Sequence, residues 1–375
     1  MGWGFKTGSL SSFLKLYAMM DNPQLIEMLR KVQHLPSCFK EEHLVEMGKE
    51  VRKKLFEAFD SCADDVFLIN VGQDKSDLKK LYEDEITLYE GICKLYAKGN
   101  ICEAMQKMKD VLTSKKSISK KGYSKSDGLL FRVRGNDKYQ LFDREEMFHM
   151  PLDKTSLIGN QRYSINGFPC LYLGASIYDC WEETRRPDLE KLNVVAYKYV
   201  KAKPMEFLLI DYPKRAKELA NYKNVVLFLF CSYFSKRDDD KHKDEYVIPE
   251  LVLHALISMR ESEEWDFDGI AYISSRFFKP SCFFPSNHDL MMNYVIPIKG
   301  EQSIEVGEKH NRYCADLAGK FKLSDTKALF TEKVRGRDFP KIHPRPTGYV
   351  NSLFYRMEQE FKGSRFECIK GVVKI

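Results

Sequence analysis

The chain has 375 residues, enough for two or three domains at roughly 150 residues each. Hydrophobic residues make up 43% and charged residues 30%, a balance that excludes global disorder. The 60 Lys and Arg against 54 Asp and Glu leave a net charge of +6, which permits an anionic ligand but is too small an excess for a protein that coats nucleic acid.

The opening stretch, MGWGFKTGSLSSFLKLYAMMD, has no apolar core of the kind a secretory signal needs, and Lys6 stands where a myristoylation signal requires Ser or Thr. Residues 23–32, 41–59, 78–96 and 101–112 carry apolar positions at three- and four-residue intervals with Lys and Glu between, so the first 113 residues are expected to form a helical domain. Ser76 or Asp77 is expected to cap the third of these helices. Residues 113–128 (TSKKSISKKGYSKSDG) have almost nothing to bury and read as a linker over 114–128.

Beyond it the texture changes to short aromatic-rich strands at 129–133, 170–173, 193–200, 206–210, 225–230, 269–273 and 294–298. The run 225–230 is apolar on both faces and is expected to be a central strand. Pro249 opens an expected helix reaching Arg260, and 235–245 (SKRDDDKHKDE) is expected to be an exposed charged loop. Residues 301–375 form a C-terminal extension without a clear pattern. The expected class is α+β. The longest apolar run, 225–231, is far short of the roughly 20 residues a membrane-spanning helix needs. The ten cysteines include no C-x-x-C, and the eight histidines do not pair with them at ligand spacing. Free thiols in the cytoplasm, with no metal and no membrane, are therefore expected.

Chemistry concentrates between Leu130 and Glu183. Arg132 and Arg162 sit inside strand-like sequence, where a planar guanidinium can bind phosphate or carboxylate in two-pronged fashion, or can simply lay its stem along a sheet edge. Arg134, two residues along, shares a strand face with Arg132. Ser176 followed by Asp179 has the form of a capping box. On the helix it would open, Ile177, Cys180, Trp181 and Thr184 form the expected buried face. Glu183 lies nearer its margin than Glu182, which is expected to point to solvent. His149 in FHMP is read as a structural histidine bonded to backbone.

The segments LFRVR, FHMP, QRYSINGFPCLYLGASIYDCWEE and DGIAYISSR, in this order, resemble the RES domain family over roughly residues 128–300. The helical part before them resembles the HEPN-like N-terminal domain of longer members. The resemblance implies a mixed α/β domain similar to ADP-ribosyltransferases, with NAD as substrate and no bound cofactor. It also implies a toxin restrained by an antitoxin or immunity protein, as in Xre–RES pairs. By position in the motif, Arg132 and Arg162 match the family's two arginines, Tyr172 its tyrosine, Glu183 its glutamate and Ser274 its serine, with Glu182 and Ser275 as adjacent alternatives. The implied roles are a catalytic set of Glu183, Arg132 and Ser274, with Arg162 and Tyr172 binding substrate.

The acceptor of the ADP-ribose (water, phosphate or a macromolecule) is open, as is a homodimer. HEPN-type nucleases place four to six residues between Arg and His; here Arg30 and His34 have only three between them, while Arg144/His149 and Arg337/His343 fit outside the helical part. That spacing gives a ribonuclease little support, and a non-catalytic binding module is the third reading.

Overall fold

The computed structural model describes residues 23–38, 43–114, 119–137, 140–233, 244–260, 267–274, 285–298, 302–307, 310–328, 349 and 352–374. It begins with five helices, α1 (Pro23–Cys38), α2 (Met47–Asp60), α3 (Asp64–Val71), α4 (Lys75–Ala97) and α5 (Ile101–Thr113). Their apolar spacing becomes one buried stripe: Val51, Leu55 and Phe59 on α2 face Leu78, Tyr82, Ile86 and Tyr89 on α4. The cap of α4 is Asp74, whose carboxylate accepts from the Ser76 backbone N–H at 2.8 Å, so the expected cap lies two or three residues too late.

A mixed sheet follows. Among the described residues it runs β1 (Lys120–Tyr123), β5 (Met205–Ile210), β6 (Gly269–Ile273), β7 (Met292–Pro297), β3 (Cys170–Gly174), β2 (Leu130–Gly135), β4 (Leu192–Tyr199), β10 (Phe321–Ser324) and β12 (Phe366–Glu367). The two-residue strand β11 (Lys327–Ala328) also pairs with β4. Among the described residues, only the β5–β6 pairing in this sheet is parallel. A small antiparallel sheet joins β8 (Ser303–Val306) to β9 (Asn311–Cys314) and β13 (Val372–Lys374). The class is α+β.

Two expectations fail for physical reasons. The run 225–230 is helix, not strand: α7 (Tyr222–Ser232) is buried on all sides from Val225 to Ser232, and its Phe230 ring stacks on Tyr89 of α4 at 4.8 Å. An apolar run buried all round has no period to tell helix from strand. The expected linker 114–128 instead contains β1, which hydrogen-bonds along β5 and buries Tyr123. The helical segment also shares its core with the sheet. Tyr82 Oη donates to Leu219 O at 2.9 Å, Gln33 Nε2 to Pro213 O at 3.0 Å, and Tyr233 Oη to Glu50 Oε2 at 2.7 Å.

Of the expected charged loop, 235–243 lies outside the described residues, and Asp244–Tyr246 form a single helical turn leading into α8 (Val247–Ser258). The C-terminal extension adds the short helix α9 (Ala315–Lys320) and strands β10, β11 and β12, which extend the sheet beyond β4. Its helix α10 (Leu353–Lys362) packs against α6 (Ile177–Glu183) through Tyr178, Trp181 and Phe354. No helix among the described residues is long and apolar enough to cross a membrane.

Candidate active site

The site is assembled where α6 leaves β3. Ser176 caps α6 as its sequence predicts, Oγ accepting from the Asp179 N–H at 3.0 Å. The same hydroxyl donates to Leu290 O at 2.7 Å, which ties the helix start to the approach to β7. A third anchor comes from far along the chain. Glu358 Oε1 on α10 accepts from the Ile177 N–H at 2.7 Å and from Tyr349 Oη at 2.5 Å. Gly174 is what lets α6 approach, since a Cβ there would stand 2.6 Å from Cys180 Sγ.

At the other end of α6, Glu183 Oε1 accepts from Ser274 Oγ and, at 3.4 Å, from Asn293 Nδ2. Ser274 follows β6 and is fully buried, and its N–H donates to Met291 O at 3.0 Å. Asn293 is opposite Gly174 in one pairing and opposite Tyr272 in the next, so strands β3, β7 and β6 bring one transverse row of residues under the carboxylate. Tyr163 packs on Tyr272 with ring centroids 4.6 Å apart. Its φ of 56° is left-handed backbone, which costs a non-glycine residue about 1 kcal/mol and marks a loop held in place by its surroundings.

The structure thus brings Glu183 and Ser274 into direct contact. Tyr172 on β3 is half-buried and its Oη donates to Tyr163 O at 3.2 Å; burial holds the phenol well above its ordinary pKa. Arg132 on β2 donates from Nη1 to Tyr172 O at 3.2 Å, while its Nε has no hydrogen-bond partner among the described residues. Arg134 instead donates to Glu146 O and lies over the Phe142 ring, away from Tyr172. Arg162 donates to Cys231 O and, at 3.2 Å, to Tyr233 O, with its guanidinium 5.1 Å from the Tyr246 ring centre. It therefore caps the carbonyl end of α7.

Glu182 does not point to solvent. It is buried, and its Oε2 accepts from Arg186 Nε at 2.8 Å. Arg185 and Arg186 leave the helix in left-handed backbone, and that turn swings the Arg186 head back along α6. Trp181, expected in the core, is only half-buried. Ser275 lies outside the described residues.

His149 is 1% exposed, its Nε2 accepting from the Cys314 N–H at 2.9 Å. Nδ1 must then carry the proton that binds Met150 O at 2.7 Å. Burial pushes its pKa down to about 4, the Met150 bond opposing and Arg132 adding to the drop. It is a neutral structural histidine, and Arg144 pairs elsewhere, with Asp325 and Glu367, so the two do not form a nuclease pair. Arg30 is exposed on α1, and Arg337 and His343 lie outside the described residues.

Sequence reasoning missed Asn293 and Asp179. Asp179 is fully buried one turn before Glu183, and burial, then the charge of Glu183, hold its carboxyl well above the usual range against the pull of the Asn293 amide. The only signal was its capping-box position, which accounts for its backbone N–H and not for its side chain.

The chain is 32% identical over 234 residues to a Bacillus subtilis (strain 168) protein named "Putative toxin YopC", covering 57% of this chain and 49% of that protein. It thus spans about half the length of the curated relative it matches. No family model and no solved structure matches the chain.

Proposed function

We propose that the chain cleaves the nicotinamide–ribose bond of NAD and acts as a growth-inhibiting, toxin-like enzyme restrained by an antitoxin. The observation that carries this reading is the Glu183 carboxylate, fixed by Ser274 and Asn293 at the end of a short helix, with Arg132 and Tyr172 along the adjoining strands. The RES resemblance supplies the substrate, and the name of the Bacillus subtilis relative supports the toxin character.

As the C–N bond lengthens, its electron pair moves to the pyridinium nitrogen and neutral nicotinamide leaves, so no proton donor or metal is needed for departure. Positive charge grows on the anomeric carbon and ring oxygen, much as in glycoside hydrolysis. A preorganised carboxylate at that point is worth about two to three powers of ten in rate. Glu183 plays this part, and Ser274 and Asn293 keep it from relaxing toward solvent. Water then bonds to the anomeric carbon and its proton passes to Glu183 and on to solvent; phosphate would take the same position in a phosphorolysis. Arg132, with an uncommitted Nε, is the cation for the diphosphate. Arg162, engaged by two carbonyls, shapes the wall of the site.

The test is nicotinamide release from NAD by the purified protein, with and without inorganic phosphate. Release in both buffers means hydrolysis and release only with phosphate means phosphorolysis. Glu183→Gln should lower turnover by about 10²–10³ while NAD binding persists. No release in either buffer rejects cleavage by the isolated chain and leaves transfer to a macromolecule, or binding alone, as the alternatives.

A further inference from the structure

The Glu183 site holds a second carboxyl that the proposed cleavage does not use. Asp179 lies one helical turn before Glu183 on α6, and residues four apart on a helix are neighbours. Its side chain is fully buried, and neither carboxyl oxygen has a hydrogen-bond partner of good geometry among the described residues. Gly174 makes room for it: a Cβ at that position would come within 3.3 Å of Asp179 Oδ2. The polar and titratable groups around it are Glu182, Glu183 and Cys180 on its own helix, Asn293 on β7 and Tyr272 on β6. None of these is a cation. An ionised carboxylate here would be dry, uncompensated and beside a like charge.

We propose that Asp179 is a positioning residue, a neutral carboxylic acid whose proton, held beside Glu183 and Asn293, keeps the Glu183 carboxylate turned toward Ser274. A neutral acid repels nothing, whereas two carboxylates one turn apart would push Glu183 away from its hydroxyl partner. The upward direction of the Asp179 pKa agrees with this. The inference rests on the proposed NAD cleavage for its kinetic readout only.

The test compares wild type, Asp179→Asn and Asp179→Ala in the full chain. The asparagine keeps the size and a neutral donor, so it should restore most of the kcat for nicotinamide release that the alanine variant loses, a loss of roughly tenfold or more with KM little changed. Wild-type kcat should also fall at alkaline pH, as the Asp179 proton is lost, and the asparagine variant should lack that fall. An alanine variant as fast as wild type, or an asparagine variant as slow as Glu183→Gln, overturns the proposal.

A second measurement is independent of substrate. The infrared difference spectrum of wild type minus Asp179→Asn at pH 7 should contain the carbonyl stretch of a protonated carboxylic acid. Its absence also overturns the proposal. If the band is present but wild type releases no nicotinamide, the cleavage reading fails while the neutral Asp179 stands.

Discussion

Replacing Glu358 by Gln should change how stability depends on pH. The Glu358 side chain is 7% exposed, and its Oε1 accepts from Ile177 N–H and Tyr349 Oη. Burial raises its pKa from an ordinary 4.5 to about 7, against the pull of those two hydrogen bonds and of Lys362. A carboxylate at a helix N-terminus normally gains from the dipole, but here the loss of hydration wins. Because the folded form holds the proton more tightly than the unfolded form, this group's contribution is complete below 4.5 and is lost as pH rises through about 7. At about 1.4 kcal/mol per pH unit the interval is worth roughly 3 kcal/mol.

Gln retains the acceptor oxygen and cannot ionise, so it should remove that loss. His149 has the opposite sign. Its pKa falls from 6.5 to about 4, so its contribution is present above 6.5 and lost as pH falls through about 4. Between 4.5 and 6.5 the two slopes oppose each other in the wild type, and Glu358→Gln should expose the rising histidine limb. Urea unfolding midpoints across pH 4.5 to 7.5 measure this, with the variant gaining about 3 kcal/mol on wild type over the range. Parallel curves would refute the protonated Glu358.

Arg132→Ala should weaken NAD binding by roughly tenfold or more, seen by calorimetry, with smaller effect on turnover at saturation; unchanged affinity would remove Arg132 from the diphosphate. Gly174→Ala should cost about 1–3 kcal/mol by overpacking against Cys180 and should lower turnover by shifting α6. A variant stable and fully active would show that α6 can retreat freely. Tyr82→Phe leaves the Leu219 carbonyl without its donor and should cost about 1–3 kcal/mol in unfolding free energy. No loss would mean that the helical segment does not depend on this contact.

Much of the site's frame was legible because it rests on local rules. The Ser176 cap, the strands carrying Arg132 and Tyr172, and the bond of His149 to the neighbouring Met150 carbonyl all follow from short-range pattern. What was not legible depends on partners distant in sequence. Glu182 looks solvent-facing on a helical wheel, yet Arg186 reaches it only because two consecutive residues adopt left-handed backbone. Helix α7 looks like a strand because the layers enclosing it on both sides, α4 and the sheet, are invisible to a local window. The lysine-rich stretch after α5 contributes strand β1 because the edge of β5 offers hydrogen bonds that composition does not reveal. Asn293 and Glu358 reach the site across 110 and 181 positions from Glu183 and Ile177 respectively.

The bond between Ile177 and Glu358 also sets a time. Translation proceeds at about 5–20 residues per second, so the anchor of α6 is made roughly ten to forty seconds after the helix itself. During that interval the nascent chain holds Glu183 on a helix whose first turn has its Ser176 cap but not its Glu358 anchor. A polypeptide stalled or cut before residue 358 never completes the brace, so its α6 would lack the carboxylate that accepts from the Ile177 N–H.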